Sequence, residues 1–290
     1  MSTFLELAGD LPTLLAAGDP GLYGVLRSAR VPASPFVLGA DPRPLRHDPV
    51  ALGTSLTVRL PGWPVLSASD GYRDHPYNAA RRFLSLDHLS GGRTGVFFRS
   101  GGAGAVATAE RISVIRGLWN SWPLESLVAD TSSGVYAHTD GIRRVEHSGP
   151  VYRVGGALNT PSSPQGEPVS LWQVETADEL EAAQGLVDLV VIDNPLLIER
   201  WASLPLDGRP GLVAAGGLAY DGALTHDGEA AAELVRVSTV GELSDALGRG
   251  ASTTRHPSLG AGHTLRDALG LPPRGFDLSH KPLAFGAVRA

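Results

Sequence analysis

The 290-residue sequence contains no cysteine, a single methionine and a single lysine. Without thiols, a disulfide framework, a thiolate nucleophile and the common structural zinc sites are all excluded. Redox logic therefore leaves the compartment open. Arginine replaces lysine, and with many Ala, Gly and Pro residues this points to a genome rich in G and C, a statement about origin rather than chemistry. Clustered positive charge is also missing: 24 basic residues are scattered among 30 acidic ones, for a formal net charge of -6. No nucleic-acid partner is expected. Met1 to Ala17 has no basic lead, is interrupted by Asp10 and Pro12, and never builds the apolar run of a signal peptide or spanning helix. The expectation is a cytoplasmic protein with no membrane partner.

What is present is a globular composition, 42% hydrophobic and 19% charged, on a chain long enough for one large core. Apolar runs of strand length recur at Phe4–Ala8, Phe36–Ala40, Pro64–Ser69, Gly95–Ser100, Val169–Val174, Leu186–Ile192, Gly211–Ala215 and Leu234–Val237. Their nearly continuous hydrophobicity is that of buried parallel strands. Helical spacing appears between them at Leu11–Arg30, Ala79–Leu89, Ala107–Trp122, Ala177–Gln184 and Val240–Leu247. Alternation of this kind predicts right-handed crossovers. Eight units match a closed (β/α)8 TIM barrel, usually roughly 250 residues, here spanning 1–290 as a single domain; an open doubly wound sheet is the alternative. The connection 122–166 is too long for an ordinary loop and predicts a functional segment. Within it, Pro150–Val154 and Gly155-Gly156 suggest half of a small hairpin with Tyr152 packed on the barrel.

The run from Tyr72 to Arg93 contains Pro76-Tyr77, Ala80-Arg81, Ser85-Leu86-Asp87 and Leu89-Ser90-Gly91-Gly92-Arg93. It resembles the signature of the luciferase-like, FMN-dependent monooxygenases. Arg116-Gly117-Leu118-Trp119-Asn120, Glu146-His147-Ser148-Gly149 and Asn159-Thr160-Pro161-Ser162-Ser163-Pro164-Gln165-Gly166 are similar to the nitrilotriacetate monooxygenase branch. The resemblance implies an abridged luciferase-like barrel in a two-component system. A separate flavin reductase supplies reduced FMN, which reacts with oxygen so that a small organic substrate is oxygenated, while the barrel binds, orients and excludes water. A homo- or heterodimer is expected.

Several positions depart from the family pattern. After the strand holding Gln173, where relatives have a Gly- and Ser-rich turn for the phosphate, the chain has Glu175, Asp178, Glu179 and Glu181 and no glycine. A carboxylate about 4 Å from a phosphate charge costs roughly 1 kcal/mol in water and about 4 at an effective dielectric of 20. Thr176 followed three residues later by Glu179 predicts a helix start that caps itself. Phe97 stands where relatives carry a flavin-facing Asn, and Gly101–Ala107 replaces a longer loop bearing a His and a Tyr.

The resemblance leaves Asp41, Ser67, Ser69, Ser100 and Ser163 as candidate FMN-binding residues at strand ends. Each also has an ordinary explanation: Asp41 before Pro42 as a turn former, the strand-end serines as backbone caps, Ser163-Pro164 as a turn initiator. No residue is assigned as catalytic acid, base or nucleophile, and no metal is expected: Asp74/His75, His138/Asp140 and Glu146/His147 match no zinc or diiron spacing. Gly101–Gly104 and Gly216-Gly217 lack dinucleotide or Walker spacing. The same departures support a rival expectation, a flavin-free barrel acting as a partner subunit or small-molecule binder.

Overall fold

A computed structural model describes residues 3–29, 35–40, 47–70, 74–215, 232–253 and 263–285. Strand β1 (Thr3–Leu7) leads to α1 (Leu11–Ala17) and α2 (Pro20–Ser28), β2 (Phe36–Leu38) to α3 (Pro49–Arg59), β3 (Val65–Asp70) to α4 (Pro76–Ser90), and β4 (Thr94–Arg99) to α5 (Gly104–Trp119). An insertion then carries two antiparallel hairpins, β5 (Leu127–Asp130) with β6 (Val135–Ala137) and β7 (His147–Ser148) with β8 (Arg153–Val154). The main sheet resumes with β9 (Val169–Gln173), α6 (Ala177–Ala182), β10 (Leu189–Ile192), α7 (Pro195–Ala202), β11 (Gly211–Ala214), β12 (Ala232–Val237) and α8 (Val240–Thr253), and the described chain closes on the short α9 (Leu265–Ala268).

The sheet is a closed barrel in the order β1-β12-β11-β10-β9-β4-β3-β2. β1 pairs in parallel with both β2 and β12, which rules out the open doubly wound sheet. All eight apolar runs are barrel strands. The helical spacing is less faithful. Leu11–Arg30 is two helices, because Gly18 adopts φ 71° as a left-handed C-cap and Asp19 then caps a new start at Pro20, accepting from the Leu22 amide at 2.8 Å. Besides the four-residue α9, the helices α3 and α7 have no counterpart among the expected ones. Each announces itself by a cap followed by proline, Asp48-Pro49 and Asn194-Pro195.

Closure sorts the apolar residues into two layers. Phe4, Val37, Leu66, Ala68, Phe97, Val169, Leu171, Val191, Val213 and Leu234 fill the lumen, while their strand neighbours pack outward on the helices. Full burial of each large side chain contributes about 1.5–3 kcal/mol. Leu265 of α9 joins the lumen cluster from below, and its amide donates to the Gly92 carbonyl at 2.8 Å. The α9 segment thus seals the N-terminal end of the barrel.

The motif residues converge on that floor. Buried Asp87 accepts from the Thr94 amide (3.2 Å), the Thr94 hydroxyl (2.9 Å), Gln165 Nε2 (2.8 Å) and the Ser163 hydroxyl. Burial pushes its carboxyl above the usual range despite these bonds. Arg116 grips Glu167 with two nitrogens at 2.7 and 3.2 Å, and Arg266 does the same to Asp188 at 2.8 and 3.1 Å. These pairs hold the floor together; none faces the opposite, C-terminal end where barrel sites form.

In the insertion, Glu110 of α5 fastens the second hairpin: His147 Nε2 lies 2.8 Å from its carboxylate, and the amides of Val151 and Tyr152 donate to it at 3.0 and 2.9 Å. A Cβ on Gly149 would stand 2.2 Å from Glu110 Oε1. Gly149→Ala is therefore expected to push the hairpin off α5 at a cost of about 1–3 kcal/mol. Hydrogen exchange at Val151 and Tyr152 should accelerate, and unchanged exchange would refute the clamp.

Candidate functional site at the barrel mouth

Lumen-facing residues alternate along each strand, so the residue two beyond the last lumen apolar side chain forms the next layer toward the C-terminal end. That layer is polar. Glu6 follows Phe4, Asp70 follows Ala68, Arg99 follows Phe97, Gln173 follows Leu171 and Arg236 follows Leu234. Register sets them side by side: Glu6 opposite Arg236, Asp70 opposite Arg99, and Arg99 opposite Gln173. Arg236 Nη2 lies 2.9 Å from Glu6 Oε1, and Arg99 Nη1 lies 4.0 Å from Asp70 Oδ1. The barrel thus carries a charged rim above a packed apolar lumen.

The sequence-derived candidates mostly lie elsewhere. Ser67 points outward and donates to the Pro49 carbonyl at 3.1 Å, buried under α3. Ser69 also faces outward and accepts from Arg111 Nη2 at 3.2 Å. Both stand at the wrong parity of β3 for the lumen. Ser163 is corrected most strongly, since its hydroxyl is bonded to Asp87 in the floor, at the far end from the mouth. Ser100 stays at the rim, where it accepts from Trp172 Nε1 at 3.3 Å. Asp41 and the Gly216-Gly217 turn lie outside the described residues.

Helix starts around the mouth decide where a phosphate could rest on backbone amides. The expected self-capping of α6 is present: Thr176 Oγ1 accepts from the Glu179 amide at 3.3 Å, while the Glu179 carboxylate accepts from the Glu175 amide at 2.7 Å, one residue earlier than in a standard capping box. Asp48, His75 and Asn194 cap α3, α4 and α7, and Thr239 caps α8. Of the helices of eight residues or more that start at the mouth, only α5 begins without a side-chain cap among the described residues. It follows Gly101, Gly102 and Gly104, whose φ angles are 55°, 89° and 79° and whose surroundings are open. Arg99 stands just before this turn, its buried Nε without a hydrogen-bond partner. Unspent amides, the positive end of a 16-residue helix and a guanidinium fit a phosphate monoester. The turn after Gln173, with its carboxylates, does not.

No group of three His, Asp or Glu side chains suited to a metal occurs among the described residues. His75 Nδ1 accepts from the Tyr77 amide at 3.3 Å and His147 is engaged with Glu110. No described helix is long and apolar enough to cross a membrane.

A sealed floor, a packed apolar lumen and a charged rim at the strand C-termini complete a closed (β/α)8 barrel. The comparisons give the family. The chain is 31% identical over 202 residues to a subunit of pristinamycin IIA synthase from Streptomyces pristinaespiralis, covering 68% of this chain and 67% of that protein. It is 29% identical over 150 residues to nitrilotriacetate monooxygenase component A of Aminobacter aminovorans, a match covering 46% of this chain and 33% of the relative. EDTA monooxygenase from Chelativorans sp. BNC1 superposes with a TM-score of 0.65 at 16% identity, over 94% of this chain and 99% of that one. No family model matches. The chain belongs to the luciferase-like, FMN-dependent monooxygenase family.

Proposed function

We propose that the mouth binds reduced FMN with its phosphate at the β4–α5 turn, and that the chain acts as the oxygenase of a two-component system on a small organic substrate. The observation that carries this reading is the uncapped start of α5 beside Arg99. Reduced flavin would supply the oxygen-activating chemistry, delivered by a separate reductase. The chain's own residues bind and orient. The Gly101, Gly102 and Gly104 amides and Arg99 hold the phosphate, the Ala103 amide being spent on the Ser100 carbonyl at 2.9 Å; Ser100 lines the same rim, and Asp41 is retained as a proposed rim residue. The lumen side chains beneath exclude water from one side of the bound ligand.

Titration with anaerobically reduced FMN tests this. Saturable binding in the low micromolar range, about -8 kcal/mol, is expected, and Arg99→Gln should weaken it about 10- to 100-fold through loss of one charged hydrogen-bonding partner. Absence of binding at millimolar flavin would overturn the proposal.

A second reading, a partner subunit, has its own support. The Streptomyces relative is by name one subunit of a synthase. On α3, Val50, Thr54 and Val58 share one face, and a groove of about 580 Å³ between α3 and α4 is lined by Val50, Thr54, Arg81, Leu86 and Leu89. Val58 and Leu89 are more than half exposed. Sedimentation of the purified chain distinguishes a homodimer from a monomer.

A further inference from the structure

On the β12–β1 side of the mouth, Glu6 and Arg236 are register partners facing the lumen directly above Phe4 and Leu234. Their burial is unequal: the Glu6 side chain is 4% exposed and that of Arg236 is 53% exposed. A carboxylate this deep requires a cation, and Arg236 supplies it at 2.9 Å. The contact is an ion pair without aligned hydrogen-bond geometry, since Glu6 Oε1 has no hydrogen-bond partner; charge draws one guanidinium nitrogen to the β1 side. Guanidinium offers five N–H donors in a planar fork. The remaining ones have no protein partner among the described residues, and the side chain is half exposed.

The scaffold beneath is stiff. β1 and β12 stay paired to the rim, with the Ala8 amide donating to the Val237 carbonyl at 2.9 Å. Beyond it Gly9 adopts φ 59° and approaches Ser238 so closely that a Cβ would lie 2.7 Å from its carbonyl oxygen. Backbone amides are not on offer here, since Ser238 N donates to Glu242 Oε2 at 2.7 Å and Glu242 N to Thr239 Oγ1 at 3.2 Å. Arg99 is much less accessible, with a side chain 16% exposed. Of these two rim arginines, Arg236 is the more accessible to an anionic group.

We propose that Arg236, paired with Glu6, is an oxyanion subsite of the mouth, taking a carboxylate or phosphate group of the ligand through its free N–H edge. This site is separate from the β4–α5 turn and does not require that flavin binds there. If flavin does occupy the turn, the group at Arg236 belongs to the organic substrate, which would then carry a negative charge.

Site-resolved arginine modification tests this on the full chain. Phenylglyoxal labelling of Arg236 is followed by peptide mass spectrometry in chloride, malonate or inorganic phosphate at matched ionic strength, and with FMN or riboflavin. Arg200 is the internal control, since its side chain is 52% exposed and paired with Glu181 on the outer surface. At an anion concentration about ten times the dissociation constant, labelling of Arg236 should slow about tenfold while Arg200 is unaffected. Protection by malonate identifies a carboxylate site, and protection by FMN but not riboflavin identifies the flavin phosphate. Glu6→Gln should reduce the protection, because the charge that draws the guanidinium to this position is removed. Equal labelling of both arginines under every anion would overturn the proposal. Flavin binding without anion protection would overturn this inference alone, and anion protection without flavin binding would overturn only the cofactor reading.

Discussion

Arg266→Met is expected to destabilise the barrel by about 3–5 kcal/mol, because it removes the nearer, hydrogen-bonded cation from a buried carboxylate. Asp188 lies at 2% side-chain exposure between Arg266 at 2.8 Å and Arg274 at 3.5 Å. Burial pushes its carboxyl up, but the hydrogen bonds and charge of Arg266, followed by the charge of Arg274, prevail and hold it below the usual aspartate range. Arg266 also donates to the Glu167 and Pro272 carbonyls and carries α9, which plugs the lumen. One change thus disturbs the floor, the plug and the start of β10. The pH dependence has a definite sign. In the wild type the folded carboxyl is depressed, so its contribution is fully present above the unfolded value of 3.8 and is lost as pH falls through the folded value. In the variant the same burial is opposed only by Arg274 and the Ser170 hydrogen bonds, so the carboxyl rises from its wild-type position and part of the stability present above 3.8 is lost. The gap between the two proteins should therefore be widest near neutrality and narrow in acid. Urea denaturation at several pH values measures it; a constant difference below about 1 kcal/mol would mean that the pair behaves like a surface salt bridge.

Gly95→Ala should be comparably damaging, costing about 3 kcal/mol or more. Gly95 faces the lumen on β4 directly opposite Val169 of β9, and an added Cβ would lie 2.5 Å from the Val169 carbonyl oxygen. The obstacle is backbone in a hydrogen-bonded strand, so no rotamer change relieves it. The β4–β9 seam is also where the long insertion leaves and rejoins the barrel. The expected result is a large fall in the midpoint of thermal unfolding with loss of near-ultraviolet circular dichroism. A variant with wild-type stability would show that the seam opens more easily than the close packing of the lumen implies.

The strands were legible because each is an apolar run bounded by turn residues, and the alternation with helices was enough to count eight units. Helix α3 escaped because its buried positions are interrupted by Gly53, Thr54 and Thr57, which blur the helical period, although Asp48-Pro49 marked its start. The site was less legible. In a strand buried on both faces, periodicity does not say which parity faces the lumen, so Ser67 and Ser69 looked as eligible as Asp70. Ser163 was misplaced for a different reason: a residue preceding a barrel strand lies at the floor, whereas one following a strand lies at the mouth. Glu6, Arg99 and Arg236 carried a readable signal, a charge two residues beyond an apolar strand residue, but it acquires meaning only when the sheet is closed.

The sequence by itself determined the number of barrel units, the family resemblance and the self-capping start of α6, because these depend on local patterns: hydrophobic runs, contiguous motifs and a Thr-to-Glu spacing. Only the tertiary structure decided that Asp87, Thr94, Ser163 and Gln165 bond together in the floor, that β1 and β12 meet to set Arg236 beside Glu6, and that α5, among the described longer helices starting at the mouth, begins uncapped. Those facts depend on which strand lies next to which and on which side of it faces inward. Closure of the barrel fixes both by joining residues 230 positions apart.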